Sequence, residues 1–510
     1  MTLVHAVPAK NIKNAMGNNF SSSPRGRNDM LTYILSIFSG IILSIPFNHG
    51  RLWILAWFGF LPLLFALNNQ SRRQSFLLSY VCGLVFWWST IYWLVNVTAL
   101  GTAVLIFYLA IYFGVFGFLV NYSKSFFAFN RLFFLACAWV VLEYIRSHLF
   151  TGFGWALLGY SQCLNLPVIQ VSDITGAWGV SFAIILFNLT LWSTIKNKKK
   201  HPLAFFTVFA FIFYGLTKIF CCQFEIPESR LSLSVIQGNI PQELKWQPEA
   251  RGYIMDQQIG LSFAAAGDNP QLIIWPEASL PVIPQEDPAY LEMVRNFSLQ
   301  ARIPVLLGAV TKDSQNRYYN SALLVPPDET GLLEYRKIHL VPFGEYVPLK
   351  NIFPFLEGLA AIGDITGGKR YTIFRVGQDF SVLICFEDVF PGLARRFVRS
   401  GARFLVNITN DAWYGRTSAS FQHLQASIFR AVENRVNLVR SANTGISAFI
   451  APSGQISSLV SAAKGKNIFV EGFKTQEIEL YRQMPSFYTR FGDIFVLLCL
   501  ILFFWVLRAS

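Results

Sequence analysis

Residues 381–388 read Ser-Val-Leu-Ile-Cys-Phe-Glu-Asp, an apolar run that stops at Cys385 and passes directly into two carboxylates. A short apolar run with a polar boundary reads as a buried strand, so the thiol is expected at a strand end. The chain has seven cysteines. Cys385 is the only one between about residues 223 and 490; Cys82, Cys137, Cys163, Cys221, Cys222 and Cys499 lie in or beside strongly apolar stretches. A cysteine with no partner in its own domain is either a small buried hydrophobe or a reactive thiol.

Two other strand-like runs end on chargeable side chains: Leu272-Ile-Ile-Trp-Pro-Glu277, and Tyr335-Arg-Lys337-Ile-His339. A thiol attacks as its thiolate and needs either a lowered pKa or an adjacent base. Glu277 can take the proton of Cys385, and Pro276 sets the backbone angle before it. Lys337 can stabilise the thiolate and then the oxyanion of a tetrahedral intermediate, together with the backbone N–H of Phe386. Glu345 and Glu387 are candidate supporting carboxylates. No CxxC, HExxH or histidine cluster is present, so neither a metal nor a cofactor is expected.

Around these residues, short β-rich runs alternate with amphipathic stretches. Ser232–Gln237, Leu272–Trp275, Pro304–Gly308, Ser321–Val325, Ser381–Cys385, Phe404–Ile408 and Ser447–Ile450 read as strands. Ala289–Ala301 and Phe421–Asn434 read as helices, and Pro326-Pro-Asp-Glu-Thr-Gly331 as a hairpin turn. This alternation predicts a layered α/β domain over 223–489. Asn410–Gly415 and Arg440–Gly445 read as turns scaffolding a pocket. Trp246, Phe343, Tyr346 and Trp413 are expected in loops, where aromatic side chains can hold substrate or lipid tails.

The rest of the chain is of another kind. Its 510 residues are 53% hydrophobic and only 14% charged, with a mean hydropathy of +0.41. An average soluble domain carries about 25% charged residues, so a membrane protein is expected. Eight apolar runs are candidate spans: 31–47, 52–67, 76–97, 100–120, 126–144, 178–195, 203–220 and 491–507. They divide the chain into a polar tail (1–29), a seven-span membrane domain (30–222), the α/β domain (223–489), and a last span with a short C-terminus (490–510). The tail is polar and lacks the pattern of a cleaved signal.

The net charge of +13 lies mostly between spans, not in a patch with interleaved aromatics, so nucleic acid is excluded as a partner. The tail, Arg72, Arg73, Lys124, Arg131, the cluster Lys196, Lys198, Lys199 and Lys200, and Arg508 fall on one side. That side is predicted to be cytoplasmic, with both termini inside and the α/β domain outside. Glu143 and Arg146, one helical turn apart in the fifth run, are expected to pair or to face a polar cavity.

Glu, Lys and Cys at strand ends in this order resemble the nitrilase superfamily. The preceding apolar runs narrow the resemblance to its membrane-embedded branch, the apolipoprotein N-acyltransferases. The segments that carry it are Trp-Pro-Glu277, Arg-Lys337-Ile-His-Leu-Val-Pro-Phe-Gly-Glu345, Ile-Cys385-Phe-Glu387, and Glu143-Tyr-Ile-Arg146 with Thr151-Gly-Phe-Gly-Trp155. Gly154 stands where the family pattern has proline.

The resemblance implies a four-layer αββα sandwich with Glu277 as base, Lys337 as stabiliser and Cys385 as nucleophile. It makes Glu345 a residue that activity needs. It further implies transfer of an acyl chain from a phospholipid, with phosphatidylethanolamine expected, to Cys385 as a thioester. The α-amino group of a diacylglyceryl-cysteine on an apolipoprotein then takes up the chain, at the inner membrane of a bacterium with the domain in the periplasm. Hydrolysis of a small C–N substrate by a membrane-tethered amidase remains the alternative.

Overall fold

The computed structural model describes residues 24–198, 201–222, 226–328, 331–346, 364–462, 465–482 and 484–509. Most of the expected tail, with Lys10 and Lys13, lies outside them, as do Lys199 and Lys200.

The α/β domain is built on two six-stranded sheets. The first has the order β12-β1-β2-β3-β4-β5: Gly472–Leu480, Ser229–Gln237, Leu272–Ile274, Val305–Lys312, Tyr318–Val325 and Leu333–Arg336. The second has the order β11-β10-β9-β8-β7-β6: Ile456–Leu459, Ala448–Ile450, Asn437–Ala442, Phe404–Thr409, Gln378–Ile384 and Phe374–Val376. Parallel pairs fill the sheet centres, β1–β2–β3 and β7–β8–β9. Parallel strands are covered on both faces and therefore read as continuous apolar runs. Leu272–Ile274 and Phe404–Thr409 are buried throughout.

Helices Arg251–Ala266 and Ala289–Ala301 cover the first sheet, and Pro391–Arg399 and Ala419–Asn434 the second. This gives the expected four layers. Buried Ser441 ties the sheets together, its Oγ donating to the carbonyls of Ile236 (2.9 Å) and Ile274 (3.1 Å). β4 and β5 pair antiparallel, Leu324 with Leu333; Glu329 and Thr330 of the expected hairpin turn between them lie outside the described residues.

Four strands were not expected from the sequence: β6, β9, β11 and β12. β12 (Gly-Phe-Lys-Thr-Gln-Glu-Ile-Glu-Leu) alternates polar residues because it is a sheet edge with one wet face.

In the membrane half, five helices among the described residues are long and apolar enough to cross a bilayer: Asp29–Asn48, Arg72–Asn96, Ala99–Ser125, Ala177–Lys196 and Pro202–Cys221. Ala128–His148 is as long but carries Arg131, Glu143 and Arg146. The expected span 52–67 is not one α-helix. Gly50–Trp57 winds as a 3-10 helix and Leu61–Ala66 as a short α-helix after a break at 58–60. The final run, expected at 491–507, forms one helix, Ile494–Ala509, after the short helix Phe487–Phe491.

Glu143 and Arg146 are buried and line one internal cavity, but they turn to main chain rather than to each other. Glu143 Oε1 accepts the Leu158 N–H (2.7 Å), and Arg146 donates to the carbonyls of Phe153 (2.7 Å) and Trp155 (2.8 Å). They fold the loop 153–158 over the end of the bundle, where the α/β domain sits.

Helix Ala419–Asn434 lies between the second sheet and the bundle and is buried along its whole length. Its polar side chains are matched in turn. Gln422 accepts from the indoles of Trp93 (3.1 Å) and Trp155 (2.8 Å) and donates to the Thr90 carbonyl (2.8 Å). Arg430 pairs with Glu433 (2.8 Å), which accepts the N–H of Ala177 (3.1 Å). Just past the helix, Arg435 reaches Asp173 (2.8 Å). Buried charge is tolerated only when paired in this way.

Candidate active site

Each of the three expected reactive residues stands one to three positions past a strand end. Glu277 follows β2, Lys337 follows β5, and Cys385 follows β7 and opens the 3-10 turn Cys385–Val389. All three are buried. Cys385 has φ +52, a left-handed conformation that costs a non-glycine residue about 1–2 kcal/mol. The turn therefore holds the thiol in a pose the chain would not adopt alone. Gly308 of β3 runs directly beneath Glu277: a Cβ there would lie 2.6 Å from the Glu277 Cα, so only glycine allows the approach.

The charged groups form one cluster. Lys337 Nζ lies 2.9 Å from Glu345 Oε1 and 3.8 Å from Glu277 Oε1. Asn320 of β4 bridges the two carboxylates, donating to Glu277 Oε1 (2.7 Å) and Glu345 Oε1 (2.8 Å). The Asn410 N–H holds the other oxygen of Glu277 (2.9 Å), and the Val341 N–H that of Glu345 (2.8 Å). Lys245 Nζ donates to the carbonyls of Glu277 and Ala278, both at 3.0 Å. Asn320 and Lys245 escaped the sequence reading. Asn320 signals itself only as a polar residue in a buried strand, and Lys245 only as a neighbour of Trp246.

Burial, then the Glu277 carboxylate, push the Cys385 thiol well above its ordinary value, against the lowering pull of Lys337. The direction is toward the neutral thiol. For Lys337, burial opposes the charge, but Glu345 and Glu277 outweigh it and hold the ammonium above the ordinary lysine range. Burial draws Lys245 down to about 8 against the raising pull of Glu277.

Glu387 does not join this cluster. It accepts from Tyr335 Oη (2.8 Å) and from the N–H groups of Ile338 (2.7 Å), His339 (3.1 Å) and Ile384 (2.8 Å), and so clamps the lysine loop to the end of β7. Burial raises it to about 7 despite these bonds. Phe386 packs its ring on Phe390 (5.1 Å) and Trp155 (6.3 Å). Its N–H lies in the first turn of the 3-10 segment, where amides have no helical acceptor.

A cavity of about 420 Å³, open solvent included, lies against Glu277, Lys245, Asn320 and Glu345, and Trp246 and Trp413 stand in its wall. Trp246 is 43% exposed. Phe343 and Tyr346 are not in this wall. They close the turn 341–346, where the Phe343 N–H donates to the Tyr346 carbonyl (2.7 Å), and Phe343 projects outward. The turn 410–415 is more than scaffold, since Asn410 touches both Glu277 and the cavity. Among the described residues no group of three or more His, Cys, Asp or Glu side chains is arranged to hold a metal.

The models of two families match in order: the apolipoprotein N-acyltransferase N-terminal domain over residues 39–190, and carbon-nitrogen hydrolase over 233–483. An apolipoprotein N-acyltransferase of Geobacter metallireducens is 37% identical over 499 residues, covering 92% of this chain and 93% of its own. One of Rickettsia prowazekii is 30% identical over 501 residues, covering 92% and 96%. Among solved structures, an amidase from Nesterenkonia sp. is 17% identical and covers 52% of this chain and 95% of its own, with a TM-score of 0.39. With both halves matched in order and the likeness to relatives running nearly end to end, the chain belongs to the apolipoprotein N-acyltransferase family.

Proposed function

We propose that this protein moves an acyl chain from a membrane phospholipid, phosphatidylethanolamine being the expected donor, to the N-terminal diacylglyceryl-cysteine of apolipoproteins. Cys385, Glu277 and Lys337 carry the reaction. Glu277 takes the proton of the neutral thiol as Sγ attacks the ester carbonyl, and the Lys337 ammonium and the Phe386 N–H stabilise the oxyanion. Glu277 returns the proton to the departing oxygen of the lysophospholipid, leaving a thioester on Cys385. The α-amino group of the apolipoprotein attacks that thioester, Glu277 removes its proton, and the thiol is regenerated. Glu345 keeps Lys337 aimed at the site, and Trp246 and Trp413 flank the incoming substrate, with Phe343 and Tyr346 at the outer edge.

The reading is carried by one observation: three strand-end residues distant in sequence are buried together, Glu277 and Lys337 in one charge cluster against a cavity and Cys385 within the field of both. Eight spans, with residues 30–222 as the membrane domain, 223–489 as the catalytic domain and 490–510 as the last span, suit a reaction between two lipid substrates. The inner membrane, a periplasmic catalytic domain and cytoplasmic termini are supported by the basic residues. Lys124 and Lys196 reach the 68–70 loop, at the helix ends remote from the α/β domain.

Intact-mass measurement after incubation with phospholipid tests the proposal. An acyl adduct on the parent, cleared by a diacylglyceryl peptide and absent from Cys385→Ser, is expected. Turnover of small amides without an adduct would replace transfer by hydrolysis.

A further inference from the structure

Behind Cys385, on the side away from the cavity, four ionisable side chains are sealed from solvent: Asp388, Asp411, His423 and Arg440, all 0% exposed. They come from four places: the turn after β7, the turn after β8, helix Ala419–Asn434, and β9. His423 Nδ1 lies 2.9 Å from Asp411 Oδ1, and Nε2 lies 2.9 Å from Asp388 Oδ1. A neutral imidazole has one donor and one acceptor nitrogen, so one of these contacts would set a lone pair against a carboxylate. Both ring nitrogens must donate, which makes the ring an imidazolium.

The carboxylates are themselves held as anions. Arg440 donates to Asp388 Oδ2 (3.1 Å) and Asp411 Oδ2 (3.2 Å), Ser427 to Asp388 and Thr409 to Asp411. Arg430, two turns further along the helix of His423, donates to the Asp388 carbonyl (3.2 Å). From the bundle side the Trp155 ring packs 5.3 Å away. Two anions and two cations make His423, Arg440, Asp388 and Asp411 a neutral unit.

The Nε2–H of His423 also reaches the Cys385 carbonyl oxygen (3.1 Å), which accepts a second bond from Asn407 Nδ2 (3.2 Å). That oxygen and the Phe386 N–H belong to the same peptide unit. Drawing electron density toward the oxygen strengthens the N–H as a donor, because hydrogen bonds in series polarise one another. Two bonds on the carbonyl also fix the plane of a peptide whose cysteine sits at a left-handed φ.

We infer that His423 is a positioning residue held as an imidazolium, which together with Asn407 orients and polarises the 385–386 peptide from behind so that its N–H faces the oxyanion. The inference rests on the oxyanion role proposed for Phe386. The other charges around the ring agree with it: Asp388 and Asp411 raise His423 to about 9, against burial and Arg440.

The test uses the full-length enzyme in detergent. With 15N-labelled histidine, the resonances that His423→Gln removes should show both ring nitrogens protonated at neutral pH; a bare nitrogen would overturn the inference whether or not the variant folds. His423→Gln keeps a donor but loses the charge. Its acyl-transfer kcat should fall at least about tenfold, short of the 10²- to 10³-fold of losing an oxyanion donor outright, with KM for phospholipid unchanged. Alkylation of Cys385 builds no oxyanion, so its rate on the alkaline plateau should stay within about threefold of the parent, well inside that loss. An unchanged kcat, or equal losses in both reactions, would sink the role. A parent enzyme that forms no acyl adduct would instead overturn the proposed function, and the ring protonation would still be decided.

Discussion

The front and the back of Cys385 both carry charge clusters built on paired carboxylates, and they are made for opposite purposes. In front, Glu277 and Glu345 share Asn320 and Lys337 and stand against a cavity. Behind, Asp388 and Asp411 share Arg440 and His423 and meet no solvent. In the proposed reaction the front accepts and returns a proton in each half-reaction, and Glu277 stands in the cavity wall. The back has to hold still. A sealed, electroneutral unit with nearly every polar atom bonded does that, because any change of protonation would leave a buried charge unpaired.

The contrast is most exposed at Lys337. Lys337→Met keeps most of the side-chain volume and removes the ammonium from the front cluster. Acyl transfer should fall by more than the 10²- to 10³-fold typical of one lost oxyanion stabiliser, because Glu277 and Glu345 then face each other uncompensated. Single-turnover formation of the thioester measures this; a rate within about threefold of the parent, well inside that loss, would remove Lys337 from the mechanism.

Glu345→Gln breaks the same cluster one step further out. Lys337 loses its nearer carboxylate, at 2.9 Å, and its charge falls more heavily on Glu277, at 3.8 Å. A base paired more tightly with a cation is a weaker base. The loss should be about 10- to 100-fold in kcat, as for residues that orient a reacting group, and the acidic limb of the pH–rate profile should move to lower pH.

Lys245→Met removes only donors to main chain, those at 3.0 Å from the Glu277 and Ala278 carbonyls. A loss of up to about tenfold is expected, the value of a hydrogen bond from a charged group at the lower end of its range. KM should not change. A larger loss in KM than in kcat would make Lys245 a substrate contact.

The smallest effect concerns the back. His423 is raised from 6.5 to about 9 in the folded protein, so its stabilisation is fully present below pH 6.5 and is lost as pH rises through 9. Thermal unfolding of the detergent-solubilised enzyme should therefore drop over that window, by on the order of 1 to 3 kcal/mol. In His423→Gln the drop should flatten. A parent whose Tm is level between those pH values would contradict the imidazolium.

The front was largely legible in the sequence and the back was not. Glu277 and Cys385 each close an apolar run, Lys337 follows Leu-Glu-Tyr-Arg, and the motifs around the three, taken in order, mark them. Asn320 and Lys245 lie within or beside elements whose pattern says only strand or loop. His423 lies in a helix buried on every side, so it has no polar face to stand out from. The break in the expected span 52–67 was equally hidden, since residues 52–66 carry no charged side chain and hydropathy does not report where the backbone changes its winding.

By itself the sequence determined the two halves of this protein, the strand ends that bear its reactive groups, and the apolar lengths available to cross a bilayer. Those follow from short-range periodicity and from the cost of exposing apolar surface or burying charge. Only the tertiary structure decided which charges pair and how the halves lock. Gln422 meets two tryptophans of the bundle, while its neighbour His423 reaches the Cys385 carbonyl. Such contacts join residues tens to hundreds of positions apart, and no local pattern encodes them. They exist because a buried polar group must find a partner wherever the fold brings one.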